Sequence, residues 1–308
     1  MKYQLKTGLL LAALLACGQL ASAQQKMHTL KIKSSKDARR FFKYEGDGTI
    51  LISGHRGGMV KGFPENSIET FENTLRHTPA YYEIDPRLTK DSIPVLMHDA
   101  TLERTTTGRG KLSSYTLAEV KQLQLKDPEG NITPFRVPTL EEAIVWAKGK
   151  TLINLDKKDL PMEKTAAMID KHKAWGWVML TVHNAEQARF YYDKSKEAIF
   201  SAHILNKKSF EAYDRSGVPW KNFMAYVGPK PTPENLEICK WLHERGVMVM
   251  IGTGPSADKL PDPEARKAGY QEVVRAGFDI IESDLPIEVA AAVRPLQPRK
   301  SKKARFFN

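Results

Sequence analysis

The sequence predicts an α/β protein whose parallel sheet closes into a barrel. Two observations carry that expectation. From about residue 50, short apolar runs rich in β-branched and aromatic residues alternate with longer segments of helical periodicity. This alternation continues to about residue 286 without a change in composition, a low-complexity linker or an internal repeat. An open, doubly wound sheet is the second choice.

The strand-like runs are 50–54, 81–85, 94–98, 151–156, 178–182, 199–203, 223–227, 247–252 and 279–283. Helical periodicity covers 67–77, 140–148, 162–173, 185–194, 207–215, 233–245 and 264–276. Pro161 and Pro233 stand at or near helix starts, and Gly246 and Gly277 fall just past helix ends, where each residue type is favoured. Only eight residues separate Asp85 from Pro94, too few for a helical crossover between parallel strands, so this region is expected to be irregular. The stretch 101–137 reads as an elaboration between a strand and a helix.

The 308-residue chain is 41% hydrophobic and 27% charged, which excludes a disordered or collagen-like polymer and allows a substantial core. Its formal net charge of +11 suggests nucleic acid or an anionic surface as a partner. The distribution argues otherwise. Residues 1–23 carry two positive charges, residues 24–43 a net six and residues 290–308 six, leaving 44–289 at −3. The expected division is a signal peptide (1–23), a basic segment (24–43), the barrel (44–289) and a basic tail (290–308). The tail is expected to be solvated. Nucleic acid is not an expected partner, and weak attachment to an anionic membrane surface through the tail is an accessory option.

Lys2 and Lys6 precede an apolar run over 9–15, and small residues close in Ala21-Ser22-Ala23. This is the pattern of a cleaved export signal, and the run is too short to span a bilayer. Export to a periplasm or medium is expected, with lipoprotein anchoring through Cys17 the lesser option. Cleavage after Ala23 leaves only Cys239, so the mature chain has no internal disulfide and must rely on its core.

In a parallel barrel, chemistry collects at the C-terminal ends of strands. The run 50–54 leads into His55 and Arg56; 81–85 places Glu83 and Asp85 at alternate positions, on one face; 94–97 ends in His98-Asp99; and 152–155 ends in Asp156-Lys157-Lys158. Glu83, Asp85 and Asp156 offer hard oxygen donors, suited to one divalent cation, Ca²⁺ or Mg²⁺. Arg56 and Lys158 would neutralise an anion such as phosphate. Two histidines on different segments can serve as general acid and general base. Any one of these residues has an ordinary structural reading; four neighbouring strand ends with reactive groups point together to metal-assisted phosphoryl transfer.

The stretch GHRGG…PENSIETFENTL…EIDPRLTKDSIPVLMHDATLERTTTGRG resembles the glycerophosphodiester phosphodiesterase family, and LINLDKK and GFDIIESDLP continue the likeness less tightly. The resemblance implies a TIM (β/α)8 barrel with a small insertion after the third strand, the one bearing His98. It also implies metal-dependent hydrolysis of a small glycerophosphodiester to sn-glycerol 3-phosphate and an alcohol. His55 and His98 match the acid/base pair, Glu83 and Asp85 metal ligands, Arg56 the phosphate-contacting arginine, and Glu65 and Asn66 a supporting pair. In the family the glycerol hydroxyl is thought to attack phosphorus, giving a cyclic phosphate that water opens. Three positions depart from the pattern: Asp156 replaces a usual Glu, Met250 an expected Trp, and Ser283 a usual Thr. The core chemistry is thus expected to be intact and the substrate pocket altered. The alternatives are a phospholipase C-like or sphingomyelinase-like lyase on the same barrel and, in another class, a non-catalytic binding protein using its basic ends.

Overall fold

The computed structural model describes residues 26–308; the expected signal peptide, with Cys17, lies outside the described residues. Twelve strands form among the described residues. In chain order they are β1 (Leu51–His55), β2 (Tyr81–Ile84), β3 (Pro86–Leu88), β4 (Pro94–Leu96), β5 (Gln124–Lys126), β6 (Ile132–Arg136), β7 (Ile153–Leu155), β8 (Val178–Val182), β9 (Phe200–His203), β10 (Phe223–Tyr226), β11 (Val249–Gly252) and β12 (Ile280–Ser283). Eight of them close a parallel barrel in the order β1-β12-β11-β10-β9-β8-β7-β2. Its register fits the alternation of the sequence: Ser53 lies opposite both Glu282 and Tyr81, and Glu83 opposite Asn154.

One set of alternate residues faces outward. Ile52, Tyr82, Ile84, Ile153, Leu180, Phe200, Ala225 and Ile251 pack in the core shared with the surrounding helices. The other set fills the lumen in tiers. The lowest tier is apolar: Leu51, Tyr81, Leu152, Met179, Ile199, Met224, Met248 and Ile280. Two residues further along each strand stand Ser53, Glu83, Asn154, Thr181, Ser201, Tyr226, Met250 and Glu282, a largely polar tier, with the strand-end residues His55, Asp156, His183 and His203 above it. The change from apolar to polar within two residues places a dry floor under a polar mouth.

The floor is closed by both chain ends. Leu30, Ile32, Phe41, Phe42 and Phe306 pack against the apolar tier. Leu30 pairs antiparallel with Phe307, and the Lys31 amide donates to the Phe306 carbonyl at 2.7 Å. Lys303 is 1% exposed, with its ammonium donating to the Lys43 carbonyl. This corrects the expectation of a solvated tail. An open barrel end exposes an apolar tier, and the aromatic residues scattered among the basic ones are what cover it.

One of the nine strand-like runs, 94–98, is not a barrel stave. β4 pairs antiparallel with β3, Arg87 opposite Val95, in a hairpin that leaves the barrel straight after β2. The eight-residue gap allows a turn and no crossover. His98 therefore projects from an insertion between two staves. The insertion has its own small core of Val95, Met97, Leu102, Leu112, Val120, Leu125 and Val137, and β5 and β6 add a second antiparallel pair.

Candidate active site

The turn after β1 is strained. Arg56 has φ 53° and Asn66 has φ 57°, left-handed values that cost a non-glycine residue about 1–3 kcal/mol. The conformation is held by Asn66, whose amide donates to the Arg56 carbonyl at 2.8 Å, and by the Arg56 amide donating to Glu83 Oε2 at 3.3 Å. Gly57, at φ 92°, leaves no room for a side chain, because an added Cβ would lie 2.4 Å from the Phe71 ring.

The turn brings Arg56 over the carboxylates. Its guanidinium contacts Glu65 at 3.1 Å and Asp85 at 3.5 Å. Asp85 is wholly buried: Oδ2 accepts from Asn66 Nδ2 at 2.7 Å, and the Asp85 amide donates to Asn66 Oδ1 at 3.1 Å. Glu65 and Asn66 thus support Arg56 and Asp85 respectively. Asp85 Oδ1 accepts no well-aligned hydrogen bond and faces the Lys158 ammonium at 3.0 Å. Lys158 also bonds Asp156 at 2.5 Å.

Glu83, Asp85 and Asp156 present oxygens within 4.8 Å of one another. Burial, joined by the charges of Asp85, Glu282 and Asp156, pushes the Glu83 carboxyl well above its usual range. Burial works the same way on Asp156, but hydrogen bonds from His183 and Lys158 overcome it and hold that group low. Burial acts to lower Lys158, yet Asp85 and Asp156 keep it above its ordinary value. Four buried or partly buried carboxylates, Glu83, Asp85, Asp156 and Glu282, face Arg56 and Lys158, which leaves negative charge that a dication would offset, and the donors of the cluster are all oxygen. These residues fit a hard divalent cation.

Each histidine has its own carboxylate. His55 Nδ1 lies 2.6 Å from Asp284 Oδ1, and His55 Nε2 is 4.0 Å from Glu83. Burial acts to lower the His55 pKa, but the Asp284 hydrogen bond and the charges of Glu282 and Asp284 outweigh it, and the net shift is upward. His98 Nδ1 is 2.8 Å from Asp99 Oδ1, and its carbonyl accepts from Arg87 Nε at 2.7 Å. Asp99 is gripped by Arg104, whose other edge takes Glu65 through two bonds of 2.7 and 2.8 Å. An unbroken chain, Arg56–Glu65–Arg104–Asp99–His98, ties the inserted histidine to the barrel. All nine residues singled out from the sequence stand in this connected set.

Other residues of the site went unassigned in the sequence. Asp284 and Asp99 orient the histidines, and Arg104 holds Asp99. A cavity of about 180 Å³ at the mouth is lined by His55, Glu83, Asp156, His183, His203 and Glu282, among others. His183 approaches Asp156 at 3.5 Å and packs edge-on against His203 at 4.4 Å. Burial and the neighbouring His183 push His203 down to about 4, so it is neutral at pH 7. Met250 also lines the cavity, with Tyr226 beside it, so an apolar thioether occupies the wall where an indole was expected. The strand-end rule applied to all eight staves, beyond the first segments, would have found His183, His203 and Asp284.

The model of the glycerophosphoryl diester phosphodiesterase family matches residues 55–211, about half of the chain and all nine residues above. A solved glycerophosphoryl diester phosphodiesterase from Parabacteroides distasonis is 56% identical, with a TM-score of 0.91 over 92% of this chain and 99% of that one. A glycerophosphodiester phosphodiesterase of Caldanaerobacter subterraneus subsp. tengcongensis is 36% identical over 110 residues, covering 35% of this chain and 45% of its own length. Its Bacillus subtilis (strain 168) counterpart is 29% identical over 226 residues, covering 65% of this chain and 75% of its own.

Proposed function

Because the chain belongs to the glycerophosphoryl diester phosphodiesterase family, we propose that it hydrolyses glycerophosphodiesters to sn-glycerol 3-phosphate and an alcohol. The observation that carries this reading is the pair of histidines, each with Nδ1 on a carboxylate, flanking a cluster of three acids, an arginine and a lysine. With Nδ1 occupied, Nε2 of each ring is the nitrogen left for substrate. Arg56 and Lys158 would bind the phosphodiester's anionic oxygens. Glu83, Asp85 and Asp156 would hold Ca²⁺ or Mg²⁺, which, when bound, supplies Lewis-acid charge next to the phosphorus.

The His55 and His98 roles follow from proton accounting. If the glycerol 2-hydroxyl attacks phosphorus, one imidazole takes its proton while the other delivers one to the departing alkoxide. A 2,3-cyclic phosphate results, and each imidazole is then in the state needed to activate water and protonate ring oxygen O2 as its bond to phosphorus breaks. Both protons return, and neither histidine is consumed. Asp284 and Asp99 keep the rings in the required tautomer and orientation.

The test is hydrolysis of glycerophosphocholine, followed by ³¹P NMR with added Ca²⁺ or Mg²⁺. Glycerol 3-phosphate should appear, and excess EDTA or His98→Ala should abolish it; full activity under either condition would sink the proposal. Accumulation of cyclic phosphate as the end product would favour the lyase reading. We also propose export, on the lysine, apolar-run and Ala-Ser-Ala pattern of residues 1–23. The mass of the protein recovered from its native host is the check: a chain retaining residue 1 would overturn it.

A further inference from the structure

At the opposite end of the barrel from the histidines, a second cavity of about 400 Å³ opens between the start of β1, the end of the helix Ile68–His77 and the tail. Its walls include Leu30, Ile50, Ile52, Ala80 and Phe307. His28, His77, Arg294 and Arg299 also line it and are exposed, and no carboxylate does. Neither arginine makes an ion pair among the described residues, whereas the neighbouring Lys302 is paired with Glu45 and Lys303 is buried in the plug. The volume falls in the 300–1,000 Å³ range of small-molecule sites, which are mostly apolar with a few placed polar groups.

We propose that this cavity binds a single-chain anionic amphiphile, with its alkyl chain against Leu30, Ile50, Ile52 and Phe307 and its carboxylate or phosphate head at Arg294 and Arg299. Charge complementarity selects the head: two unpaired guanidiniums and two imidazoles, with no acid in the lining, repel a cationic head and give a neutral one no advantage. Apolar walls select the tail. Besides the start of β1 and the end of the helix Ile68–His77, the site draws on residues 28–30 and 294–307, none of which the proposed hydrolysis uses. It therefore stands or falls independently of the hydrolytic reading.

The test is calorimetry on the protein from residue 24 onward, below the critical micelle concentration, with laurate, dodecyl phosphate, dodecyltrimethylammonium and dodecyl maltoside. Laurate or dodecyl phosphate should bind at one per chain, on the order of tenfold or more tighter than the cationic and neutral probes. Whichever anion binds more tightly distinguishes a fatty acid from a lipid phosphate. Arg294→Glu combined with Arg299→Glu should weaken the anion by a similar factor. Ala290→Trp, at a residue lining the cavity, should abolish binding while leaving glycerophosphocholine hydrolysis unchanged. If Ala290→Trp disturbs folding, the double arginine variant still decides. Equal binding of all four probes, no binding of either anion, or anion affinity unchanged in the arginine variant would overturn the proposal.

Discussion

Arg104 is the sharpest place to test how the inserted histidine is held. Its guanidinium makes four charge-assisted bonds of 2.6–2.9 Å, two to Asp99 and two to Glu65. The side chain is 48% exposed, so solvent screens these bonds well below what a buried fork would supply. Glu65 keeps Arg56 when Arg104 is lost, but Asp99 keeps only His98. We therefore expect Arg104→Ala to cost about 1–2 kcal/mol of stability, at the low end for bonds to charged groups. Catalysis should suffer more: a ring displaced by roughly 1 Å can cost about 100-fold, so kcat should fall about 30- to 100-fold. Arg104→Lys keeps the charge and loses the fork, and should recover only part of that loss. Because Arg104 positions His98 through Asp99, KM should stay within about threefold. Steady-state release of glycerol 3-phosphate, with a thermal melt of each variant, decides. An unchanged kcat, or a loss confined to KM, would refute the positioning role.

Asp284→Asn removes the partner that, with Glu282, holds His55 above its ordinary value. A raised histidine stabilises the fold below its unfolded pKa of about 6.5 and loses that contribution as pH rises through the folded value. Asp284 is held low despite burial, chiefly by the His55 hydrogen bond, so its contribution is present above about 4 and disappears as pH falls through its folded value. The variant should thus lose more melting temperature at pH 5.5 than at pH 9, and the limb of its pH–rate profile that reports His55 should move to lower pH; equal losses at both pH values would argue against the pair. Asp156→Asn should reduce the rise in melting temperature on adding Ca²⁺ or Mg²⁺, while Asp156→Glu should change which metal is preferred; identical metal titrations in all three proteins would remove Asp156 from the ligand set. Truncation after Pro295 uncovers the barrel floor by removing Lys303 and Phe306, and should cost about 3–5 kcal/mol in chemical denaturation, the scale of losing a large buried side chain. A truncated chain as stable as the full one would show that the plug contributes nothing.

Much of the site was legible because its signals are local. Glu83 and Asp85 share a face by strand geometry alone, and His55, Arg56, Asp156 and Lys158 fall just where apolar runs end. The alternation that puts Ile52 outward and Ser53 inward is likewise written in adjacent residues. Other features depend on partners far apart in the chain. Nine strand-like runs were visible, but only closure of the hydrogen-bonded ring decides that β4 is left out, because a three-residue strand can satisfy its backbone in a hairpin as readily as in a barrel. Asp284 reaches His55 across 229 positions, and Arg104 reaches Glu65 across 39.

The basic ends show the same division. The sequence tells how much charge they carry and puts it toward the two ends of the chain. Their role was decided by packing: Phe41, Phe42 and Phe306 cover an apolar tier that must not face water, and the lysines and arginines among them are buried, paired or left at a cavity mouth according to where that cover places them. Strand alternation and helix periodicity are properties of neighbours, so the chain's order alone reveals them. Ring closure, the partners of His55 and His98 and the fate of the termini are properties of surfaces, which exist only once the barrel has formed.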